Sequence, residues 1–363
     1  MSEYWNKLVK SITPYVPGEQ PRDRKFIKLN TNENPYPPSP LVIEAIKNAA
    51  AETLRLYPDP ACTELREAAA ARYGLKSAQV FAGNGSDEIL AFAFAAFFET
   101  APNGDAVLFP DITYSFYPVY AELWNVPFKT IPLREDFSIG IEPYLAKSGG
   151  IILPNPNAPT GMALSLEELR KIAEAAEKNK RVFVVDEAYI AFADEAAAAL
   201  PLLKEFPNLL LVRTLSKEAS LAGLRAGFAL GSEELIEALC RIRDSFNSYT
   251  LDRLALAGAA AAMNDSSYYA EINRRIIKTR RGVSLELEAL GFKVLPSQAN
   301  FIFASPPAQS GGSGAEFFAA LRERGILVRH FNKPRIADFL RISIGTDEEM
   351  DKFLDVCREM VNN

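Results

Sequence analysis

TLSKEASLAGLRAGFALG, residues 214–231, closes an apolar run on a lysine. The run itself, NLLLV at 208–212, is short, continuous and rich in branched side chains, the pattern of a strand buried on both faces. Thr214, Ser216 and Lys217 end it, and Arg225 follows eight residues after the lysine. In an open α/β sheet ligands collect outside the carboxyl ends of the strands. The polar end of this strand therefore predicts a binding site.

Outward from that stretch, between about residue 75 and residue 231, short apolar runs alternate with helical patterns. Strands are predicted at 79–82, 106–109, 150–153, 182–185, 209–212 and 226–230. Helices are predicted between them, one at 89–98 and one at 166–179, the latter with Leu166, Leu169, Ile172 and Ala173 on one stripe. The alternation implies a mostly parallel sheet with helices on both faces. A long helical pattern follows at 232–290. The last seventy or so residues then change character, with NFIFA at 300–304, a helix at 315–324 and LRISIG at 340–345. This predicts a large domain at 30–260 and a small α+β domain built from 261–363 with an N-terminal arm, 1–29. SPPAQSGGSG at 305–314 is predicted as a loop inside the small domain.

Composition narrows the chemistry. The 363 residues carry a net charge of -6 and no basic run, which argues against nucleic acid or an anionic membrane as partner. No apolar stretch approaches the roughly 20 residues that a membrane helix needs, and the opening MSEYWNKLVK lacks the apolar core of a secretion signal. A cytoplasmic location is expected. Cys62, Cys240 and Cys357 form no CxxC pair, so neither a zinc site nor a disulfide framework is predicted. With His330 the single histidine, most histidine-dependent hydrolases and metal sites are excluded. No metal is expected, and proton transfer falls to lysine, tyrosine or carboxylate.

Other predicted strand ends carry unusual residues. GNGSDE at 83–88 offers Ser86 and Asp87 at a helix start, where backbone N–H groups favour an anion, although a tight turn with a capping serine has the same sequence. PNPNAPTG at 154–161 offers Asn157, and DEAY at 186–189 offers Asp186 and Tyr189. A carboxylate at a strand end also reads as a cap or an ion-pair partner. Together the set fits an aldehyde cofactor with a phosphate and a pyridine ring, pyridoxal 5'-phosphate. Lys217 would take the aldehyde and Asp186 the ring nitrogen. Tyr189 and Asn157 would bond the ring oxygen. Ser86, Asp87, Thr214, Ser216 and Arg225 would hold the phosphate.

With those residues in place, the chain resembles the fold-type I aminotransferases over nearly its whole length. PNPNAPTG, VVDEAYIAF, TLSKEASLAGLRAGFALG and LRISIGT are similar to that family's asparagine loop, aspartate strand, cofactor-lysine segment and carboxylate-binding arginine segment. The asparagine loop reads NPNAP where NPNNP is commoner. The resemblance implies a pyridoxal-phosphate-dependent transaminase with Lys217, Asp186 and Tyr189 as catalytic residues. It further implies Tyr114 stacked on the ring, Arg341 on a substrate carboxylate, and a homodimer in which Tyr57 reaches the neighbouring subunit's phosphate. SITPYVPGE at 11–19, LNTNENPYP at 29–37 and DSFNSYTLDRLA at 244–255 are similar to the histidinol-phosphate aminotransferase branch. That branch exchanges an amino group between L-histidinol phosphate and 2-oxoglutarate in histidine biosynthesis, and implies Tyr15 and Arg329 at the substrate phosphate. Two readings on the same scaffold stay open: an aromatic or broad-specificity amino-acid aminotransferase, and a threonine-phosphate decarboxylase. A ligand-sensing regulator is disfavoured, because only about 30 residues precede the first shared motif.

Overall fold

The computed structural model describes residues 3–21, 24–101, 104–307 and 313–362. Seven strands form the central sheet, here numbered with the others in chain order: β2 (Val80–Gly83), β3 (Val107–Pro110), β4 (Phe128–Ile131), β5 (Gly150–Pro154), β6 (Phe183–Asp186), β7 (Leu209–Thr214) and β8 (Gly227–Leu230). Their order is β2-β8-β7-β6-β5-β3-β4. All neighbours run parallel except β8, which is antiparallel to both β2 and β7. The sheet is thus mostly parallel, as its sequence implies.

The alternation of side chains explains why these runs are apolar without interruption. Along β7, Leu209 and Leu211 enter one core and Leu210 and Val212 the other. Phe183 and Val185 of β6 likewise oppose Val184, and Ile151 and Leu153 of β5 oppose Ile152. Successive residues point to opposite faces of a strand, so a sheet covered on both sides has no polar position to spare. β4 was not predicted because, unlike the buried edge strand β2, it is largely exposed. Three of its four residues, FKTI, are exposed.

Helices cover both faces, and their ends are set by local chemistry. Leu166–Lys178 opens with a capping box in which Ser165 and Glu168 satisfy each other's backbone N–H groups. The helix expected at 89–98 begins earlier, as Gly85–Phe97, so that Ser86 and Asp87 occupy its first turn. The pattern at 232–290 is three helices rather than one: Glu233–Phe246, Arg253–Asn264 and Ser266–Ala289. The side chains of Ser232 and Asp252 accept from backbone N–H groups at the starts of the first two.

A second sheet is antiparallel, in the order β12-β13-β10-β9, with β9 at Lys293–Val294, β10 at Phe301–Ser305, β12 at Arg329–His330 and β13 at Leu340–Ser343. Strand β1 (Ile27–Lys28) pairs with β11 (Ile326–Leu327), tying the N-terminal arm to this C-terminal layer. In the predicted loop at 305–314, residues 308–312 lie outside the described residues. No helix among the described residues is long and apolar enough to cross a membrane.

One buried ion pair joins β7 to the segment after β6. Arg213 donates from Nε to Glu187 Oε2 at 2.8 Å and stands 4.7 Å from the centre of the Tyr73 ring. The other Glu187 oxygen accepts from the Ala199 N–H. Removing one partner leaves the other charge buried. Glu187→Ala is therefore expected to destabilise the chain by about 3–5 kcal/mol, read as a lower urea midpoint, and pairing it with Arg213→Met should recover most of the loss.

Candidate active site

The carboxyl ends of β2, β3, β5, β6 and β7 open on one cavity, and the segment entering β8 closes it. Of the residues singled out by sequence, Tyr15, Ser86, Asp87, Tyr114, Asp186, Tyr189, Thr214, Ser216, Lys217, Arg225, Arg329 and Arg341 line it. Asn157 and Tyr57 do not.

Lys217 sits in the short helix Leu215–Glu218, which Thr214 caps by accepting from the Ser216 N–H. Its Nζ donates to the carbonyl of Thr31 at 2.9 Å. Burial, with the Arg341 charge adding to it, lowers the ammonium from its ordinary 10.5 to about 8. Asp186 ends β6 and is the opposite case. Burial raises its carboxyl from 3.8 to about 7, against the hydroxyl of Tyr117 at 2.9 Å and the N–H of Ala188 at 3.2 Å, which both favour the charged form.

An anion cradle lies on one side. Gly85, at φ 75°, turns the chain into its helix, and a Cβ there would stand 2.7 Å from Arg225 Nη2. Gly227 is as tightly placed, its missing Cβ 2.8 Å from the Ser86 nitrogen. These two glycines let the helix start, β8 and the Arg225 guanidinium converge. Asp87 holds the arrangement: it accepts from Arg225 Nη2 at 3.0 Å and from the Tyr114 hydroxyl at 2.6 Å. The Thr214 and Ser216 hydroxyls, 3.0 Å apart, complete the wall.

Across the cavity, Arg341 reaches in from β13. It donates to the carbonyl of Asn30 at 3.1 Å, its Nε is buried without an acceptor, and among the described residues it forms no ion pair. Leu340 and Ile342 face the apolar core that also holds Phe317 and Phe353, as the alternation in LRISIG predicts. Arg329 and Tyr15 stand nearby, Tyr15 stacked on Phe116 with ring centres 4.2 Å apart.

The two remaining residues are elsewhere. Asn157 is fully buried behind the wall, where its side-chain N–H groups go to the Ile112 carbonyl and the Thr160 hydroxyl, both at 3.0 Å, and its oxygen accepts from Thr113. The loop presents Ala158 to the cavity instead. Tyr57 is 78% exposed and stacks on Tyr249. Sequence reasoning assigned no role to Tyr117 or Asn32, although both bond directly to cavity residues. Tyr117 lies three residues after Tyr114, and Asn32 lies within LNTNENPYP.

Residues 24–356 match the model of the family described as aminotransferase class I and II. The chain is 54% identical to the histidinol-phosphate aminotransferase of Clostridium acetobutylicum, over 99% of this chain and 100% of that protein. It is 52% identical to that of Clostridium beijerinckii, over 100% and 99%. Among solved structures, histidinol-phosphate aminotransferase from Sinorhizobium meliloti in complex with pyridoxal-5'-phosphate superposes with a TM-score of 0.88 at 25% identity, covering 100% of this chain and 98% of that one.

The raised carboxyl of Asp186 sets a pH dependence. The unfolded chain ionises this group near 3.8 and the folded chain near 7, so the folded state holds the proton longer. Stability from this group is full below the lower value and is lost as pH rises through the upper one. Asp186→Asn keeps the shape and removes the titration. In the cofactor-free chain it is expected to match the parent at about pH 4 and to exceed it near pH 8. The gap should widen by at most ~1.4 kcal/mol per pH unit, as urea unfolding at a series of pH values will show.

Proposed function

The chain belongs to the class I and II aminotransferases, and we propose that it transfers an amino group between L-histidinol phosphate and 2-oxoglutarate, giving imidazole acetol phosphate and glutamate. The observation that carries this is a lysine of lowered pKa and a buried aspartate facing one cavity, between an anion cradle and an arginine that has no ion pair among the described residues.

That donor set fits pyridoxal 5'-phosphate. Arg225, Ser86, Thr214 and Ser216 would hold its phosphate, with Asp87 orienting Arg225 and Tyr114. Tyr114 would cover the ring face, and Asp186 would hold a proton on the ring nitrogen, a cationic partner that returns the carboxyl to its charged form. Tyr189 would donate to the ring oxygen. Asn157 would share that contact by giving up its bond to the Ile112 carbonyl or the Thr160 hydroxyl. When bound, this cofactor supplies an electron-withdrawing ring that takes up the electron pair of the substrate's α C–H bond.

The chain's own residues do the rest. With its ammonium at about 8, Lys217 is partly neutral near physiological pH, and its lone pair serves first as nucleophile and then as carrier of the α-proton. Arg341 would bind the anion of either substrate, the carboxylate of glutamate or the phosphate of histidinol phosphate. Arg329 and Tyr15 would accommodate the larger phosphate. A homodimer in the cytoplasm is part of the proposal, because Tyr57 lies outside its own chain's cavity and would serve the cradle of a second copy.

Lys217→Ala should abolish the visible absorbance of the cofactor-loaded protein and all turnover, whereas retained transamination would mean that another amine acts. For the substrate, kcat/KM is expected to favour histidinol phosphate over phenylalanine and tyrosine by at least about a hundredfold, the order gained from one buried charge-assisted contact. Preference for the aromatic acids, or carbon dioxide released from threonine phosphate in place of glutamate formation, would overturn the assignment.

A further inference from the structure

Asn32 is buried at φ 54°, a left-handed conformation that asparagine tolerates better than most residues. All its polar groups are used across the chain. Its carbonyl accepts from Asn300 Nδ2 at 3.0 Å, and its N–H donates to Ser343 Oγ at 2.8 Å. Ser343 Oγ in turn donates to Asn32 Oδ1 at 2.9 Å, and Asn32 Nδ2 donates to the Tyr189 hydroxyl oxygen at 2.9 Å.

Ser343 decides which way the amide points. Its oxygen already receives the Asn32 N–H, and Oδ1 is the acceptor for its proton. Turning the amide over would leave a buried hydroxyl proton without a partner, at a cost that keeps the observed orientation. With Nδ2 toward Tyr189, the phenolic oxygen is an acceptor on that side and its proton is free for the cavity. Beside Tyr189, the loop after β5 contributes only the methyl group of Ala158. Tyr189 is thus the residue that presents a hydroxyl proton to the cavity on this wall.

We propose that Asn32 is a positioning residue for the reaction, which fixes Tyr189 as a hydrogen-bond donor toward the cofactor's ring oxygen and couples it to the strand that carries Arg341. This rests on the functional reading above. Arg341 and Ser343 share one face of β13, so Asn32 links the anion clamp to the ring contact through a single side chain.

A double-mutant cycle in the full-length chain tests it. The dissociation constant for pyridoxal 5'-phosphate and the visible absorption maximum of the loaded protein are measured for the parent, Asn32→Gly, Tyr189→Phe and the double variant. Glycine accepts the left-handed backbone, so the substitution removes only the amide. Asn32→Gly is expected to raise the dissociation constant roughly tenfold, the loss of one well-placed hydrogen bond. It should also move the absorption maximum in the direction that Tyr189→Phe does, and the double variant should match Tyr189→Phe within about twofold. Parent-like values for Asn32→Gly, or effects that multiply in the double variant, would overturn the proposal. Should Asn32→Gly fail to fold, Ser343→Ala, which frees the amide to turn over, must shift both quantities the same way, and unchanged values refute the idea equally. A parent chain that binds no pyridoxal 5'-phosphate would refute the functional reading instead.

Discussion

Burial of the central strands on both faces is the constraint from which the rest follows. A strand such as β7, closed above and below by apolar cores, can place polar side chains only where it ends. Six parallel strands end on the same side, and the polar residues at the ends of five of them are gathered there by the same exclusion that keeps the strands apolar. The antiparallel β8 serves this arrangement as well. Because it runs the other way, its entry, rather than its exit, meets that side, and Arg225 arrives opposite Ser86 and Asp87.

Concentrating charge in a dry cleft has an electrostatic consequence. Lys217 and Asp186 are both pushed toward neutrality, in opposite directions on the pH scale, by the same loss of water. Neutralising them by contact with each other would disable both. Lys217 is instead held by a carbonyl and Asp186 by a phenol and a backbone N–H, partners that fix position without cancelling charge. The segment that follows β1 supplies much of this restraint. Consecutive carbonyls of Asn30, Thr31 and Asn32 accept from Arg341, Lys217 and Asn300, and Asn34 Nδ2 donates to the Lys217 carbonyl. A segment with no regular structure thus holds the large sheet's lysine and the small sheet's arginine in register.

What the sequence made legible tracks how locally each feature is determined. Continuous apolar runs revealed six of the central strands to within a residue or two, since two-sided burial leaves no other composition open. Edge strand β4 escaped because exposure on three of four residues erases that signature. The reversal of β8 escaped for another reason, because strand direction leaves no mark on periodicity. Eight cavity residues, Ser86, Asp87, Asp186, Tyr189, Thr214, Ser216, Lys217 and Arg225, were readable as polar groups at strand ends, whereas Tyr114, Tyr15 and Arg329 were named only through the family resemblance. Asn32 was not readable, since its partners Tyr189, Asn300 and Ser343 lie 157, 268 and 311 residues away, and nothing near it in sequence distinguishes a hub from a loop.

The exchange of Asn157 for Ala158 at the cavity shows where sequence reading meets its physical limit. In a strand, phase follows from alternation, so that the inward residues of β13 could be named in advance. In PNPNAPTG there is no period, and neighbouring residues face different ways only because each finds different partners. Asn157 satisfies all its polar atoms against Ile112, Thr113 and Thr160, an outcome set by the loop after β3. An asparagine able to bury every polar atom in protein need not face the cavity, whereas alanine has nothing to satisfy and is tolerated at the cavity wall. The hydroxyl that faces the cavity on that wall is that of Tyr189, which Asn32 holds from behind.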